Sequence, residues 1–583
     1  MILAVPAFAT GAKANDLIIA APTTFSSLDG SANDSDGVAN GVLTVDNLVI
    51  MPGGSITFND PASPRNASAG PIKIVVTGDV LIEAGGAITA ENQVSGGSGG
   101  DITITAGDSI SVEGTDGVNP GALISSRKWA GSGSTGHSGS ITINAPSINI
   151  GDGAVVTAGR NMQTDLGSAG AITLNGQFLF IDGEVSARSG MTSTNGKQLP
   201  GGGPITIDST LLLTVSPDAV ISSQGLDPGA DLVHLQGALV FIQGLIQSTG
   251  SSNNSAPNCP PNHLGSSCQH GYSSNATGGV EIWADDLTID GLDAYAEISA
   301  DTNTNNSNNG CSGASGTGWI NIFAGDDLEI FGPATGAFAV HANGLAQNTA
   351  QGGTITVKCV SGDVVLDGLA LQADATSSWG KGGQITVESN TDMSMDTATL
   401  FARGDLTVSN NQNGCNGYGQ NGCNGNQNQC NGNGGNGCNG NQNQCNGNGQ
   451  NGCNGNGNQN QCNGNGQNGC NGNGQNQCNG NGQNGCNGNG YGNQNQCNGY
   501  GGQINLRSYN GQILWTNGVG DVRPTGSAVP TNKSGVIILT YSVNLDTTNT
   551  VFPSNGNPTT PGLPVVLSGG SPTIPSSVVL PTF

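Results

Sequence analysis

The sequence predicts an all-β fold, a right-handed parallel β-helix whose short strands stack into three sheets. Three observations carry this expectation. One phrase recurs down the chain, usually just after glycine, with apolar pairs at Ile72/Ile74, Ile102/Ile104, Ile141/Ile143, Ile172/Leu174, Ile205/Ile207, Val280/Ile282, Trp319/Ile320, Ile355/Val357, Ile385/Val387 and Ile504/Leu506. Within a cycle the phrase is followed by two further short runs: Ile102–Thr105 is followed by Ile110–Val112 and Ala122–Ile124, and Ile141–Ile143 by Ile148–Ile150 and Val155–Thr157. The third observation is composition: 98 Gly and 25 Pro in 583 residues, with apolar residues at two-residue spacing in runs too short for helices, exclude helical repeats. A unit too small to bury its own apolar side chains must stack on copies of itself, which makes a solenoid.

Taken in order, residues 1–14 read as a signal-peptide remnant, with Ala7-Phe8-Ala9 matching a small-x-small cleavage pattern. Residues 15–69 carry strand runs at Leu17–Ala20, Val42–Ile50 and Ser55–Phe58, and are expected to form the amino-terminal cap and first coils. Coils follow over 70–410, with Gly/Ser-rich insertions at corners, where the ladder tolerates them. Residues 411–500 form an insert made almost wholly of Asn, Gly, Gln and Cys, without one charged residue. Gly501-Gly-Gln-Ile-Asn-Leu506 resumes the coil phrase, so 501–525 reads as a final coil and 526–583 as a strand tail. That tail either caps the open end or adds itself to an edge of another copy, joining subunits end to end as a filament.

The phrases Gly100-Asp-Ile-Thr-Ile-Thr-Ala-Gly107, Gly139-Ser-Ile-Thr-Ile-Asn144 and Gly279-Val-Glu-Ile-Trp-Ala-Asp285 resemble the repeats of filamentous haemagglutinin-type secreted β-helix proteins of bacteria. The resemblance covers roughly residues 40 to 525. It implies an extended secreted or cell-surface adhesin, exported with the help of an outer-membrane secretion partner.

Charge narrows the function classes. The formal net charge is -26, from 40 acidic against 14 basic residues, and such a surface repels nucleic acid and anionic membrane. Nucleic acid is therefore not an expected partner; the strand tail points instead to copies of the chain itself, and the adhesin resemblance to cell-surface or matrix polysaccharide.

The cysteines are the most patterned residues. Eleven lie in the insert, at Cys415, Cys423, Cys430, Cys438, Cys445, Cys453, Cys462, Cys470, Cys478, Cys486 and Cys497, with gaps mostly of seven to eight. Three readings stand: a disordered polar tract, a thin solenoid with a disulfide stapling each coil of roughly sixteen residues, or a set of soft-metal or redox ligands. Zinc is the weakest of these, because local cysteine pairs are lacking. Outside the insert, Cys259 and Cys268 are candidates for a loop disulfide; His263 and His270 beside them make zinc the competing reading. Cys311 is a further loop cysteine, and Cys359 shares the parity of Ile355 and Val357, which predicts a small buried side chain.

Parallel β-helices also host polysaccharide lyases and hydrolases, and the residues for either are scarce. Arg127-Lys128 is the only adjacent basic pair. The tandem acids Asp285-Asp286 and Asp326-Asp327 follow equivalent phrases; they read chiefly as turn chemistry, with weak calcium binding as the competing reading. No ladder of outward aromatics is traceable from the sequence. The expectation is therefore a structural and adhesive protein without cofactor or catalytic residues, secreted or held at the outer cell surface. A carbohydrate-active enzyme or a polysaccharide-binding β-helix is the alternative.

Overall fold

The computed structural model describes residues 16–26, 38–39, 42–59, 71–91, 98–127, 137–159, 168–189, 202–225, 232–252, 278–291, 297–304, 318–332, 339–346, 351–376, 381–404, 501–522, 536–548, 550 and 565–569, together with the backbone of two five-stranded sheets between 415 and 487. The expectations for residues 1–14, for the loop bearing Cys259, His263, Cys268 and His270, and for Cys311 and Cys497 fall outside the described residues.

Among the described residues every element is a strand, and all but one of the pairings are parallel, the exception being the hairpin of Val38–Ala39 with Val42–Val45. The chain is a parallel β-helix of the right-handed type, in which each coil lays three short strands onto those of the coil before. The first ladder passes through Ile72–Val76, Ile102–Ala106, Ile141–Asn144 and onward to Thr354–Cys359, Gln384–Ser389 and Gln503–Ser508. The second passes through Val80–Ile82, Ser109–Val112 and Ser147–Ile150, and the third through Ala87–Thr89, Leu123–Ser125 and Val155–Thr157. Between Ile172 and Asp290 the corner between the first two ladders is ironed out, and four strands run straight through it: Ile172–Ile181, Ile205–Val215, Leu232–Ile242 and Gly279–Asp290. At about 4.8 Å per rung the whole makes a rod on the order of 60 Å long.

The period of two in the sequence becomes two inward columns. Ile72, Ile102, Ile141, Ile172, Ile205, Val233, Val280, Ile320, Ile355, Ile385 and Ile504 stack in one, and each is at most 1% exposed. One expected phrase needs correction and one rung was missed. The rung at 319 is built on Ile320 and Ile322, and Trp319 stands on the outside. The rung Val233/Leu235 is also absent from the set read off the sequence. Stacking isoleucine on isoleucine at rung spacing excludes water along the whole interior, and each such side chain contributes roughly 1.5–3 kcal/mol by burial.

The glycine ahead of the opening phrase has a steric cause. A Cβ on Gly203 would lie 1.9 Å from the carbonyl oxygen of Gly170, and one on Gly383 would lie 2.0 Å from that of Gly353. At this corner the backbone of one coil rests directly on the next, so no side chain fits.

The carboxyl-terminal rungs show volume being exchanged between ladders. In the second ladder Trp515 takes the place that Met395 holds one coil earlier, and in the third ladder Gly520 takes the place of Leu400. Trp515 is fully buried and its Nε1 donates to the carbonyl of Ala398 at 3.2 Å. First-ladder pairing continues into Val536–Tyr541 and then Val565–Gly569.

The insert is bridged by the ladder itself. Ile385 pairs with Ile504, so a rung closes across the intervening segment as though it were an ordinary corner loop.

Candidate functional site

The interior is mainly apolar, with buried hydroxyls such as Ser125, Thr157, Ser186 and Ser222 stacked on the third ladder, and the ionisable side chains gather mostly at turns and outward faces. Of the four acids singled out in the sequence, Asp326 and Asp327 lie in the turn between the first and second ladders, whereas Asp285 and Asp286 lie within the straight strand Gly279–Asp290. Asp326 N donates to the carbonyl of Asp285 at 2.7 Å, and Asp326 Oδ1 accepts Ser361 Oγ at 2.6 Å. One coil on, Asp327 Oδ1 accepts the Asp363 amide at 3.4 Å, Asp363 Oδ1 accepts the Asp392 amide at 3.0 Å, and Asp392 Oδ1 accepts the Gln512 amide at 3.0 Å. Each carboxylate thus caps the turn of the following coil. Burial, then the charges of Asp326 and Asp286, push the Asp285 carboxyl above its ordinary range. Among the described residues no cluster of three or more His, Cys, Asp or Glu side chains is arranged to hold a metal ion.

Cys359 is 2% exposed, its Sγ donates to the carbonyl of Asp326 at 2.7 Å, and burial pushes its thiol up to about 11. That is an inert packing cysteine, since a reactive one needs a thiolate near neutral pH. Arg127 sits 3.8 Å from Glu91. Of the disulfide candidates, the ten from Cys415 to Cys486 are described in backbone only, one per strand.

The outward face of the first ladder changes character along the rod. Over its early rungs it carries small polar residues in register, Thr103, Thr142, Thr173 and Thr206 in one column and Thr105, Asn144 and Asn175 in the next, with Asn175 Nδ2 donating to Asn144 Oδ1 at 2.8 Å. From Asp208 the second column continues as Gln236, Trp283, Phe323, Lys358, Glu388 and Arg507 on consecutive rungs. Trp283 and Phe323 are half-buried and meet edge to face with ring centroids 5.2 Å apart. Four residues earlier on the same pair of strands Gly279 makes room for Trp319, since a Cβ there would stand 2.5 Å from the indole.

Polar groups flank the aromatic pair on both sides. His234 Nδ1 lies 3.1 Å from Glu281 Oε2, and its Nε2 lies 3.3 Å from Gln236 Oε1 and 3.7 Å from Asp208 Oδ1. Burial raises the Asp208 carboxyl, with His234 opposing, and both Asp208 Oδ1 and Trp283 Nε1 are buried without a hydrogen-bond partner. On the other side Glu388 is clamped at 3.1 Å by Lys358 Nζ and at 3.1 Å by Arg507. Around the straightened corner Phe178, Leu211 and Leu239 are exposed by 38%, 46% and 49%. The result is an amphipathic patch, with aromatic edges, hydrogen-bonding groups and paired charges held on rigid strands.

Sequence reading missed this patch because rung adjacency, and not spacing along the chain, makes it. Its one local signal is that Trp283 and Phe323 hold the same place in their phrases, Ile282-Trp283-Ala284 and Ile322-Phe323-Ala324.

Fold and patch together define the class, a parallel β-helical solenoid with one differentiated outer face. No protein-family profile, no curated protein and no solved structure matches the chain.

Proposed function

We propose that this chain is an exported structural and adhesive rod, displayed at the outer cell surface or released, similar in kind to the filamentous haemagglutinin-type proteins its phrases resemble. The observation that supports it best is the patch around Trp283 and Phe323: a straight, rigid face that offers ring surfaces beside hydrogen-bonding carboxylates, amides and imidazole suits a neutral or mixed polysaccharide lying along the rod. Catalysis is not part of this proposal, and contact between rod ends makes copies of the chain its other partner. A glycan panel of immobilised neutral and acidic polysaccharides tests the adhesive role. Trp283→Ala with Phe323→Ala is expected to lower retention at least tenfold on the glycans that bind the native chain; equal retention of the two proteins, or no retention of either, removes it.

One observation favours hydrolysis as a second reading. Asp208 Oδ1 and Glu281 Oε2 lie 3.7 and 3.1 Å from the two ring nitrogens of His234, which sets them no more than about 9 Å apart, within reach for a water-mediated pair of carboxylates. Release of reducing ends that disappears in Asp208→Asn would establish it.

A further inference from the structure

The strands between 415 and 487 form five two-strand coils. One strand of each coil lies in a first sheet, namely Cys415–Asn416, Gln427–Asn431, Gln442–Asn446, Gln459–Asn463 and Gln475–Asn479. The other lies in a second sheet, namely Asn421–Asn424, Asn436–Asn439, Asn451–Asn454, Asn468–Asn471 and Asn484–Asn487. Register stacks Cys415, Cys430, Cys445, Cys462 and Cys478 in one column. It stacks Cys423, Cys438, Cys453, Cys470 and Cys486 in the other. Strands consecutive in the chain approach to within 8 Å, Cα to Cα. Apart from Tyr418, Tyr491 and Tyr500, cysteine is the only side chain in 411–500 that is neither glycine nor an amide. A two-sheet solenoid of this composition has no apolar core to hold it and needs covalent closure.

Three pairings are open to such columns. Pairing along a column joins neighbouring rungs, but five per column is odd, so each column keeps a lone thiol. Pairing between coils joins Cys423 to Cys430 and its successors, and pairing within a coil joins Cys415 to Cys423 and its successors. Spacing separates the last two. Within the coils it is eight residues every time, at 415/423, 430/438, 445/453, 462/470 and 478/486; between coils it runs seven, seven, nine and eight. A closed ring fixes its own length while an open connection tolerates insertion. Turn position agrees. Reflected through the middle of the connection 447–450, Cys445 maps to 452, one residue from Cys453; reflected through 455–458, Cys453 maps to 460, two residues from Cys462.

We propose that the ten cysteines form five disulfides, one closing each coil: Cys415–Cys423, Cys430–Cys438, Cys445–Cys453, Cys462–Cys470 and Cys478–Cys486. Each bond forms as two thiols lose two protons and two electrons, the electrons passing by thiol–disulfide exchange to a disulfide oxidant, which leaves as a dithiol or as two thiols. The covalent ladder is independent of adhesion, and refolding the full chain in a glutathione redox buffer frees its test from the proposed export as well.

The test is thiol labelling with maleimide after oxidation. The insert contains no Lys, Arg, Asp or Glu, so fragments are made by partial acid hydrolysis at low pH, where exchange is suppressed for want of thiolate, and located by tandem mass spectrometry. In the native chain Cys497 alone of the eleven is expected to label. In Cys445→Ser the one new label is expected at Cys453, and Cys445→Ser with Cys453→Ser returns the native labelling. A new label at Cys438 establishes pairing between coils, one at Cys430 or Cys462 establishes pairing along the column, and labelling throughout the native insert establishes free thiols; each overturns the proposal. Where a variant fails to fold, cystine-linked fragments of the native chain distinguish the same three pairings.

Discussion

Replacing His341 by glutamine removes a cation held between two carboxylates on the third ladder. Its Nε2 lies 3.1 Å from Glu297 Oε1 and its Nδ1 lies 2.9 Å from Asp301 Oδ1, which also accepts the Asn343 amide at 2.7 Å. Burial alone lowers the imidazole pKa, but the hydrogen bonds and charges of Asp301 and Glu297 outweigh it and lift the group from 6.5 to about 9. Glu297 shows the reciprocal effect, lowered chiefly by its hydrogen bond to His341. Because the folded pKa is the higher, the stabilisation is complete below pH 6.5, falls as pH rises, and is gone above about 9. At 1.36 kcal/mol per unit the span corresponds to about 3 kcal/mol, local to the coils that share the residue. Hydrogen exchange of peptides over 297–304 and 339–346, compared between native chain and His341→Gln at each pH, reads it: the variant should exchange faster by roughly a hundredfold at pH 6, and the two should converge by pH 10. A constant difference across that range, or an imidazole titrating at or below 6.5 by nuclear magnetic resonance, refutes the argument.

Other perturbations follow from the same geometry. Trp515→Ala should cost about 3–5 kcal/mol in the carboxyl-terminal coils, and a Gly520→Leu partner change should recover part of it by refilling the rung, as judged by urea unfolding of single and double variants. Gly383→Ala, whose added methyl meets the Gly353 carbonyl, should loosen the rungs on either side of 383 in hydrogen exchange, whereas Gly53→Ala, with open space around its Cβ, should show only the strain of its positive φ, 77°. Reductant should raise exchange over 415–487 while leaving 354–389 protected, since each nine-residue ring contributes about 2.6 kcal/mol by the chain-entropy relation. Deleting 405–500 and joining the ends with a short glycine linker should leave the circular dichroism and thermal midpoint of the rod within about 2–4 °C of the native values, because the rungs at 385 and 504 pair directly.

The interior was readable from the chain because an inward column needs only a period of two, and Ile102/Ile104 or Ile141/Ile143 announce it without competition. Reading failed where apolar residues crowd. At Trp319-Ile-Asn-Ile-Phe323 both parities are apolar, and what decides between them is the empty space over Gly279, a residue forty positions earlier. Leu232-Val-His-Leu235 hides its rung in the same way. The turn role of Asp326 and Asp327 was legible as local chemistry. Neither the Trp283–Phe323 contact nor the Asp301–His341–Glu297 clamp could be read, since each joins residues forty or so positions apart whose meeting depends on the lengths of the loops between.

The rung that spans the insert bears on how the molecule assembles. Closing Ile385 onto Ile504 brings together residues 119 apart, where the preceding rung, Ile355 on Ile385, needed only 30. The entropy of a ring grows with the logarithm of its length, so the longer closure costs only about 1.2 kcal/mol more, less than one well-buried isoleucine returns. Order is the larger toll: in folding from the amino terminus the whole insert must be delivered before that partner arrives, and until then the half-built column ends on a bare edge.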